Sequence, residues 1–415
     1  MHYFEYKNNQ LFCERIPLKE LALKFKTPLY VYSKKTLVEH YQKLKRAFKE
    51  LNPLICYSVK ANSNLSILKI LKNLGAGFDI VSGGELYRLK TIKAPPNKIV
   101  FAGVGKTEEE IRSALDYKIL LFNVESLSEL EKIDKICRKK NTIAKVCLRY
   151  NPDIKVSTHK FIRTGESETK FGMDKKTILQ ILKQRERYEN IKIEGIHIHI
   201  GSQISEPQNF VSAIKKAKEL IKKINMPLKY FNIGGGFAAQ YDFNEPPTLA
   251  QDFARYIKPL LKDMKLKIIL EPGRFIVANA GVLITKVLYI KKSFKKRFCI
   301  VDAGFTELIR PALYSAYHFI SPLELISTKD EYQEYDVVGP ICETTDFLAK
   351  SIKLPASLKE GDFLCVFSCG AYGMSMSSNY NSRRRSAEVL VDKDRFYLIR
   401  KRETYKDLIR KEMIV

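Results

Sequence analysis

The sequence predicts an α/β protein in which a (β/α)8 barrel is joined to a mostly antiparallel β domain. Three observations carry this. Between residues 54 and 271, eight short apolar runs alternate with amphipathic helical patterns, the signature of a parallel α/β fold. Eight such runs suit a closed barrel better than an open, doubly wound sheet. After Gly273 the rhythm changes, and apolar runs follow one another without helices between them.

In order along the chain, residues 3–14 read as a hairpin turning at Asn8 and Asn9, 18–25 as a short helix, and 28–32 as an extended segment leading into a helix from Lys34. The barrel runs lie at 54–58, 77–81, 99–102, 119–123, 144–150, 193–200, 230–233 and 266–271. Helical patterns fall between them at 65–74, 84–91, 108–115, 128–137, 175–184, 209–224 and 249–261. Strands of the second domain are expected at 277–290, 298–303, 335–342, 362–368, 388–391 and 396–399. The barrel is thereby assigned to residues 28–275 and the β domain to 1–27 and 276–415. The long polar stretch 151–169 is a candidate for a loop that closes over a substrate.

Composition narrows the function classes. The chain of 415 residues carries 72 Lys and Arg against 46 Asp and Glu, a formal charge of +26. Its lysines are spread over many helical stretches and interleaved with glutamate, with no nucleic-acid motif around the few basic clusters. A lysine-rich solvated surface is the preferred account, and no nucleic-acid partner is expected. No apolar run approaches a membrane span, and the N-terminus lacks a signal-type apolar core, so a soluble cytoplasmic protein without a membrane partner is expected. Eight scattered cysteines with no CxxC pair argue against a disulfide framework or a zinc site.

The residues with chemistry to offer cluster at run ends, where such barrels build their active sites. Lys60 follows the first run, His199 closes the sixth, Gly234, Gly235 and Gly236 follow the seventh, and Glu271 ends the eighth. A lysine in a dry pocket has a lowered pKa and can form a Schiff base, although at the edge of a sheet it can also snorkel to solvent. Glycines at a strand end let backbone N–H groups approach a phosphate, or simply make a turn. Glu271, Pro272, Gly273 and Arg274 put a carboxylate and a guanidinium on one tight turn. A carboxylate against a pyridine nitrogen keeps it protonated, whereas a surface ion pair would contribute little. His197 and His199 share one face of a strand, yet no third ligand has matching spacing, so a ring stacked on a cofactor is preferred to a metal site. In the second domain Cys342 stands beside Glu343, a thiol able to serve as a proton donor if its surroundings permit. Arg310, Tyr314 and Tyr372 complete a group able to grip a polar, charged substrate.

The order of residues 57–62 (YSVKAN), 79–86 (DIVSGGEL), 170–172 (KFG), His199 with Gly201 and Ser202, the three glycines at 234–236, and 271–274 (EPGR) resembles the alanine-racemase-like, fold type III pyridoxal-phosphate decarboxylases. The resemblance runs from about Pro28 to near Val391. Residues 310–318 (RPALYSAYH), 339–343 (GPICE) and 370–381 (GAYGMSMSSNYN) resemble the diaminopimelate decarboxylase branch in particular. Two departures stand in loops: Thr344 where that branch often has serine, and Arg383, Arg384, Arg385 and Ser386 where Arg-Pro-Arg-Pro is usual.

The resemblance implies pyridoxal 5'-phosphate as cofactor and decarboxylation of meso-2,6-diaminopimelate to L-lysine and carbon dioxide, the last step of lysine biosynthesis. It implies that Lys60 forms the internal aldimine, that His199 stacks on the ring, and that Ser202 with Gly234, Gly235 and Gly236 holds the phosphate. Glu271 would pair with the pyridine nitrogen. Arg274, Arg310 and Tyr314 would bind the substrate's distal carboxylate and Glu343 its distal ammonium, while Tyr372 touches cofactor and substrate. Cys342 would return a proton to the carbanion. In that family the cysteine and glutamate reach the site from a partner subunit, so a homodimer is implied. The rivals are a sister decarboxylase acting on ornithine, arginine or carboxynorspermidine, an amino-acid racemase, and a non-catalytic carrier of the cofactor. Arg310 with Glu343 argues against the first, and Glu271 against a racemase, which would place arginine at the nitrogen.

Overall fold

The structure, a computed structural model, describes residues 2–154, 164–165, 169–325 and 331–415; most of the candidate closing loop at 151–169 therefore lies outside the described residues. The chain divides into two compact units, one of residues 1–40, 239–247 and 276–415, the other of residues 41–238 and 248–275.

The second of these is a closed, all-parallel barrel of eight strands: Leu54–Ser58, Gly77–Ile80, Ile99–Phe101, Leu121–Val124, Ala144–Arg149, Ile191–His197, Tyr230–Asn232 and Lys267–Leu270. Each pairs with its neighbour in sequence, and Lys267–Leu270 closes the ring against Leu54–Ser58. Strands covered on both faces read as continuous apolar runs, and all three residues of Ile99–Phe101 are buried. Five of the helices between strands begin at side-chain caps. Asn64, Ser82, Ser126 and Asp174 each accept a backbone N–H of the first turn, and Thr107 forms a capping box with Glu110. Their apolar stripes face the barrel, as with Ile67, Leu68 and Leu71 in Leu65–Asn73. Phe237 anchors part of this outer layer, stacked on Phe210 at 5.0 Å and edge-on to Phe253 at 5.0 Å.

The other unit holds a nine-stranded sheet with a main path ordered Phe347–Pro355, Tyr332–Val338, Lys296–Val301, Gly281–Ser293, Leu29–Ser33, Ala387–Asp392 and Arg395–Arg400. Phe363–Val366 pairs with both Gly281–Ser293 and Ile320–Pro322. The sheet is antiparallel except where Lys296–Val301 meets Tyr332–Val338 and where Leu29–Ser33 meets Ala387–Asp392. The expected hairpin forms between Phe4–Lys7 and Gln10–Cys13, with Asn8 and Asn9 at φ 48° and 62°, a conformation asparagine tolerates.

Two features differ from the sequence reading. Leu29–Ser33, assigned to the barrel side of a boundary at residue 28, is a fully buried central strand of the β sheet, and residues 239–247 also cluster with that unit. A short extended apolar segment reads alike before a barrel and inside a sheet, because its partners are hundreds of residues away. Phe347–Pro355 is a strand that the sequence pattern does not signal. It is the outer edge of the sheet, and the lysines that interrupt its apolar pattern suit an edge that must not pair with another chain.

Candidate active site

Lys60 leaves the barrel's first strand in a tight turn, Val59–Ala61, whose flanking residues are both buried. Ser58 N donates to the Pro272 carbonyl at 3.0 Å, which docks this turn against the turn after the last strand. Gly273 fits closely there, since a Cβ would stand 3.0 Å from those of Ser58 and Ala61. Lys60 Nζ lies 2.8 Å from Asp79 Oδ2 on the adjacent strand, where Ser58 Oγ also donates at 2.8 Å. Burial pushes the Asp79 carboxyl up even with the lysine cation drawing it down.

Glu271 is buried just beyond the last strand. Its Oε1 accepts from Asn123 Nδ2 at 2.9 Å and Asn232 Nδ2 at 2.5 Å, and its Oε2 lies 3.3 Å from His197 Nε2. Burial alone would raise this carboxyl, but His197, Lys60 and Asn232 outweigh it and hold the pKa well below the ordinary carboxylate range. Glu271 is therefore a fixed, ionised carboxylate. His197, whose reading as a metal ligand the sequence disfavours, lies against this carboxylate as part of its support.

His199 lies two residues past the end of its strand, with Nδ1 accepting from Gly235 N at 3.1 Å. Part of the residue remains accessible, yet desolvation, followed by the nearby Arg149 and Lys60 cations, holds its pKa well below the ordinary histidine value. The ring is neutral. Arg149 also donates to the His199 carbonyl at 3.2 Å while paired with buried Glu125 at 2.7 Å.

The three glycines are sterically imposed. A Cβ on Gly235 would fall 2.0 Å from the Glu271 carbonyl, one on Gly234 2.4 Å from that of Ile198, and one on Gly236 2.4 Å from that of Gly201. Gly234 and Gly236 also have φ of 71° and 103°, where other residues are strained. Next to this loop, buried Arg274 donates from Nε and Nη2 to Ser202 Oγ at 3.2 and 3.0 Å. The barrel rim thus gathers an amine, an ionised carboxylate, a neutral ring, a cradle admitting no side chain and a serine held by a guanidinium. These features fit pyridoxal phosphate, whose aldehyde, ring nitrogen, ring face and phosphate would each find a suitable group.

The remaining predicted residues lie in the β unit. Arg310 is buried at the start of the helix Arg310–Tyr314, whose last residue, Tyr314, is half-buried. Cys342 is exposed, with Sγ 3.4 Å from Asn381 Oδ1, and Glu343 Oε1 accepts from Tyr380 OH at 2.5 Å. Tyr372 is half-buried at φ 58°. Sequence reasoning did not single out Asn123, Asn232, Glu125 or Arg149. Their one local signal is a polar residue inside an otherwise apolar barrel strand or at its end.

Fold and rim together suit a barrel that binds pyridoxal phosphate, and comparison with known proteins places it in the pyridoxal-phosphate-dependent decarboxylase class. The family described as pyridoxal-dependent decarboxylase, pyridoxal binding domain, matches residues 34–278. The diaminopimelate decarboxylase of Aquifex aeolicus is 47% identical over 406 residues, 97% of this chain and 96% of the relative. That of Haemophilus influenzae is 46% identical, covering 98% of each chain. The crystal structure of diaminopimelate decarboxylase from Helicobacter pylori complexed with L-lysine superposes with a TM-score of 0.89 at 42% identity, covering 95% of this chain and 99% of that one. The chain belongs to the diaminopimelate decarboxylase family of pyridoxal-dependent enzymes. Among the described residues no helix is long and apolar enough to cross a membrane.

Proposed function

We propose that this chain acts as a cytoplasmic homodimer that decarboxylates meso-diaminopimelate to L-lysine and carbon dioxide. The observation that carries this reading is similarity over essentially the full length to relatives bearing that name, one of them crystallised with L-lysine.

Bound pyridoxal phosphate supplies an electron-accepting ring for the pair released when the carboxylate leaves. Lys60 Nζ is the amine that would hold the cofactor, and Asp79, 2.8 Å away, would pair with that amine whenever it is free. Glu271 keeps a proton at the ring nitrogen, a role that suits a carboxylate held ionised by Asn123, Asn232 and His197. His199 offers an uncharged ring for stacking. Ser202, Arg274 and the backbone of Gly234, Gly235 and Gly236 bind the phosphate, with Pro272 and Gly273 shaping the turn that presents Glu271 and Arg274. At the substrate's distal end Arg274, Arg310 and Tyr314 bind the carboxylate and Glu343 the ammonium, so that each charge meets a fixed partner. Tyr372 contacts cofactor and substrate. Cys342 Sγ gives a proton to the carbon that loses carbon dioxide, and Cys342 and Glu343 serve the neighbouring protomer's site.

The experiment is carbon dioxide release with added cofactor from meso-diaminopimelate, ornithine, arginine and carboxynorspermidine in parallel. Release from diaminopimelate alone, with stoichiometric lysine, is expected. Release only from another substrate would keep the cofactor chemistry and overturn the distal-carboxylate reading. Bound cofactor without release from any of them would favour a carrier.

A further inference from the structure

The Arg310 guanidinium is buried, with Nη1 2.6 Å from His318 Nε2 and its centre 4.4 Å from the ring centroid of Tyr241. The other ring nitrogen of His318, Nδ1, lies 2.8 Å from the Phe367 carbonyl oxygen. A carbonyl oxygen only accepts, so Nδ1 carries the ring hydrogen. In the neutral imidazole Nε2 then presents a lone pair, the match for an arginine N–H. His318 is 1% exposed, and its ring stands edge-on to that of Tyr241 at 5.2 Å and 83°. One aromatic face and one neutral acceptor thus fix a cation.

The choice of acceptor matters. A carboxylate in the place of His318 would orient Arg310 but also neutralise it, and would compete with any carboxylate ligand. A neutral imidazole occupies one N–H, sets the plane of the fork, and does not itself neutralise the cation. We propose that His318 is a positioning residue that aims the Arg310 guanidinium at the distal carboxylate of the substrate, so that it governs substrate affinity without touching substrate. The inference rests on the reading of Arg310 as the binder of that carboxylate.

The test uses the holoenzyme with four variants: His318→Asn, His318→Gln, Arg310→Met and the double variant Arg310→Met/His318→Asn. Asparagine retains a donor near Nδ1 and loses the acceptor at Nε2, whereas glutamine can restore the acceptor. For His318→Asn, KM for meso-diaminopimelate is expected to rise about tenfold, the loss of one hydrogen bond to a charged group, with kcat changed by no more than about twofold. Inhibition by L-lysine, which keeps the distal carboxylate, should weaken in parallel, while inhibition by cadaverine, which has no carboxylate, should not move. His318→Gln should recover most of the loss, and the double variant should be no worse than Arg310→Met alone. Unchanged KM in His318→Asn, equal loss of lysine and cadaverine binding, or additivity in the double variant would overturn the proposal. Should His318→Asn not fold, as read by thermal unfolding, His318→Gln decides: near-parental KM supports the proposal, and a loss equal to that of Arg310→Met sinks it. Arg310→Met by itself separates the two layers. If it leaves the lysine-to-cadaverine preference intact, the reading of Arg310 fails; if it erases the preference while His318→Asn does not, only the role of His318 fails.

Discussion

Lys60 and Asp79 form an ion pair of 2.8 Å in which the carboxylate side chain has no exposed surface and the lysine side chain is 36% exposed. The pair ties the reactive amine to the neighbouring strand and gives its charge a partner. Replacing Lys60 by Ala is expected to abolish both turnover and the absorbance of covalently bound cofactor. Asp79→Asn should leave the cofactor-free protein at least as stable, because burial costs the ionised carboxylate more than the partly solvated lysine returns, as the raised carboxyl pKa shows. Urea unfolding of the two cofactor-free proteins checks the latter; a lower midpoint for Asp79→Asn would show that the pair holds the fold together after all.

Glu271 should matter through its charge. Glu271→Gln keeps the shape and can still pair with the asparagines, but cannot hold a proton at a ring nitrogen by ionic attraction, so kcat should fall about 100-fold with the cofactor still bound. The pH dependence has a definite sign. Because the folded-state pKa lies well below the unfolded one, the stabilisation from this residue is complete above the ordinary carboxylate range and fades as pH falls through and below it. The glutamine variant should therefore lose stability less steeply under acid conditions, as read by thermal unfolding across that range.

His199 titrates in the opposite sense. Its folded-state pKa is depressed from 6.5, so below that value the unfolded chain takes up a proton that the folded chain refuses. Stability should rise with pH up to about 6.5 and then level off, this one residue contributing at most about 1.4 kcal/mol per pH unit. In His199→Phe, which keeps a flat ring, that slope should be smaller. Equal slopes in the two proteins would mean that the ring is charged in the fold.

The glycine cradle offers a steric test. The Glu271 carbonyl that a Gly235 side chain would strike at 2.0 Å is backbone and cannot swing aside. Gly235→Ala should cost about 2 kcal/mol of stability and weaken cofactor binding at least about tenfold, since the strand end must move to admit the methyl group. Cofactor titration by fluorescence measures it.

How much of this was legible in the sequence depends on whether a residue's meaning is local. Lys60, Glu271 and the glycines could be read because each breaks an apolar run at its end, where a barrel exposes its chemistry. The partners of Glu271 could not be paired with it beforehand: Asn123 stands 148 residues away and Asn232 39 residues away, and only closure of the barrel brings them together. The same limit hid the place of Leu29–Ser33, whose five buried residues carry no sign that their neighbours are Gly281–Ser293 and Ala387–Asp392. His318 and Arg310 lie close in sequence, yet the tautomer that joins them is set by the carbonyl of Phe367, far along the chain.

Cys342 is the exposed thiol among eight cysteines, the other seven being buried. Burial raises the thiol pKa of Cys13, Cys56, Cys137, Cys147, Cys299, Cys365 and Cys369, which suppresses their thiolates and so their reactivity. Brief treatment of the folded protein with iodoacetamide should therefore add one label, at Cys342, by mass spectrometry of the digest. Activity should fall in step with that label. Cys342→Ala should resist labelling and retain cofactor binding, while its turnover drops about 100-fold for want of a proton donor. Labelling of Cys342 without loss of turnover would remove it from the reaction.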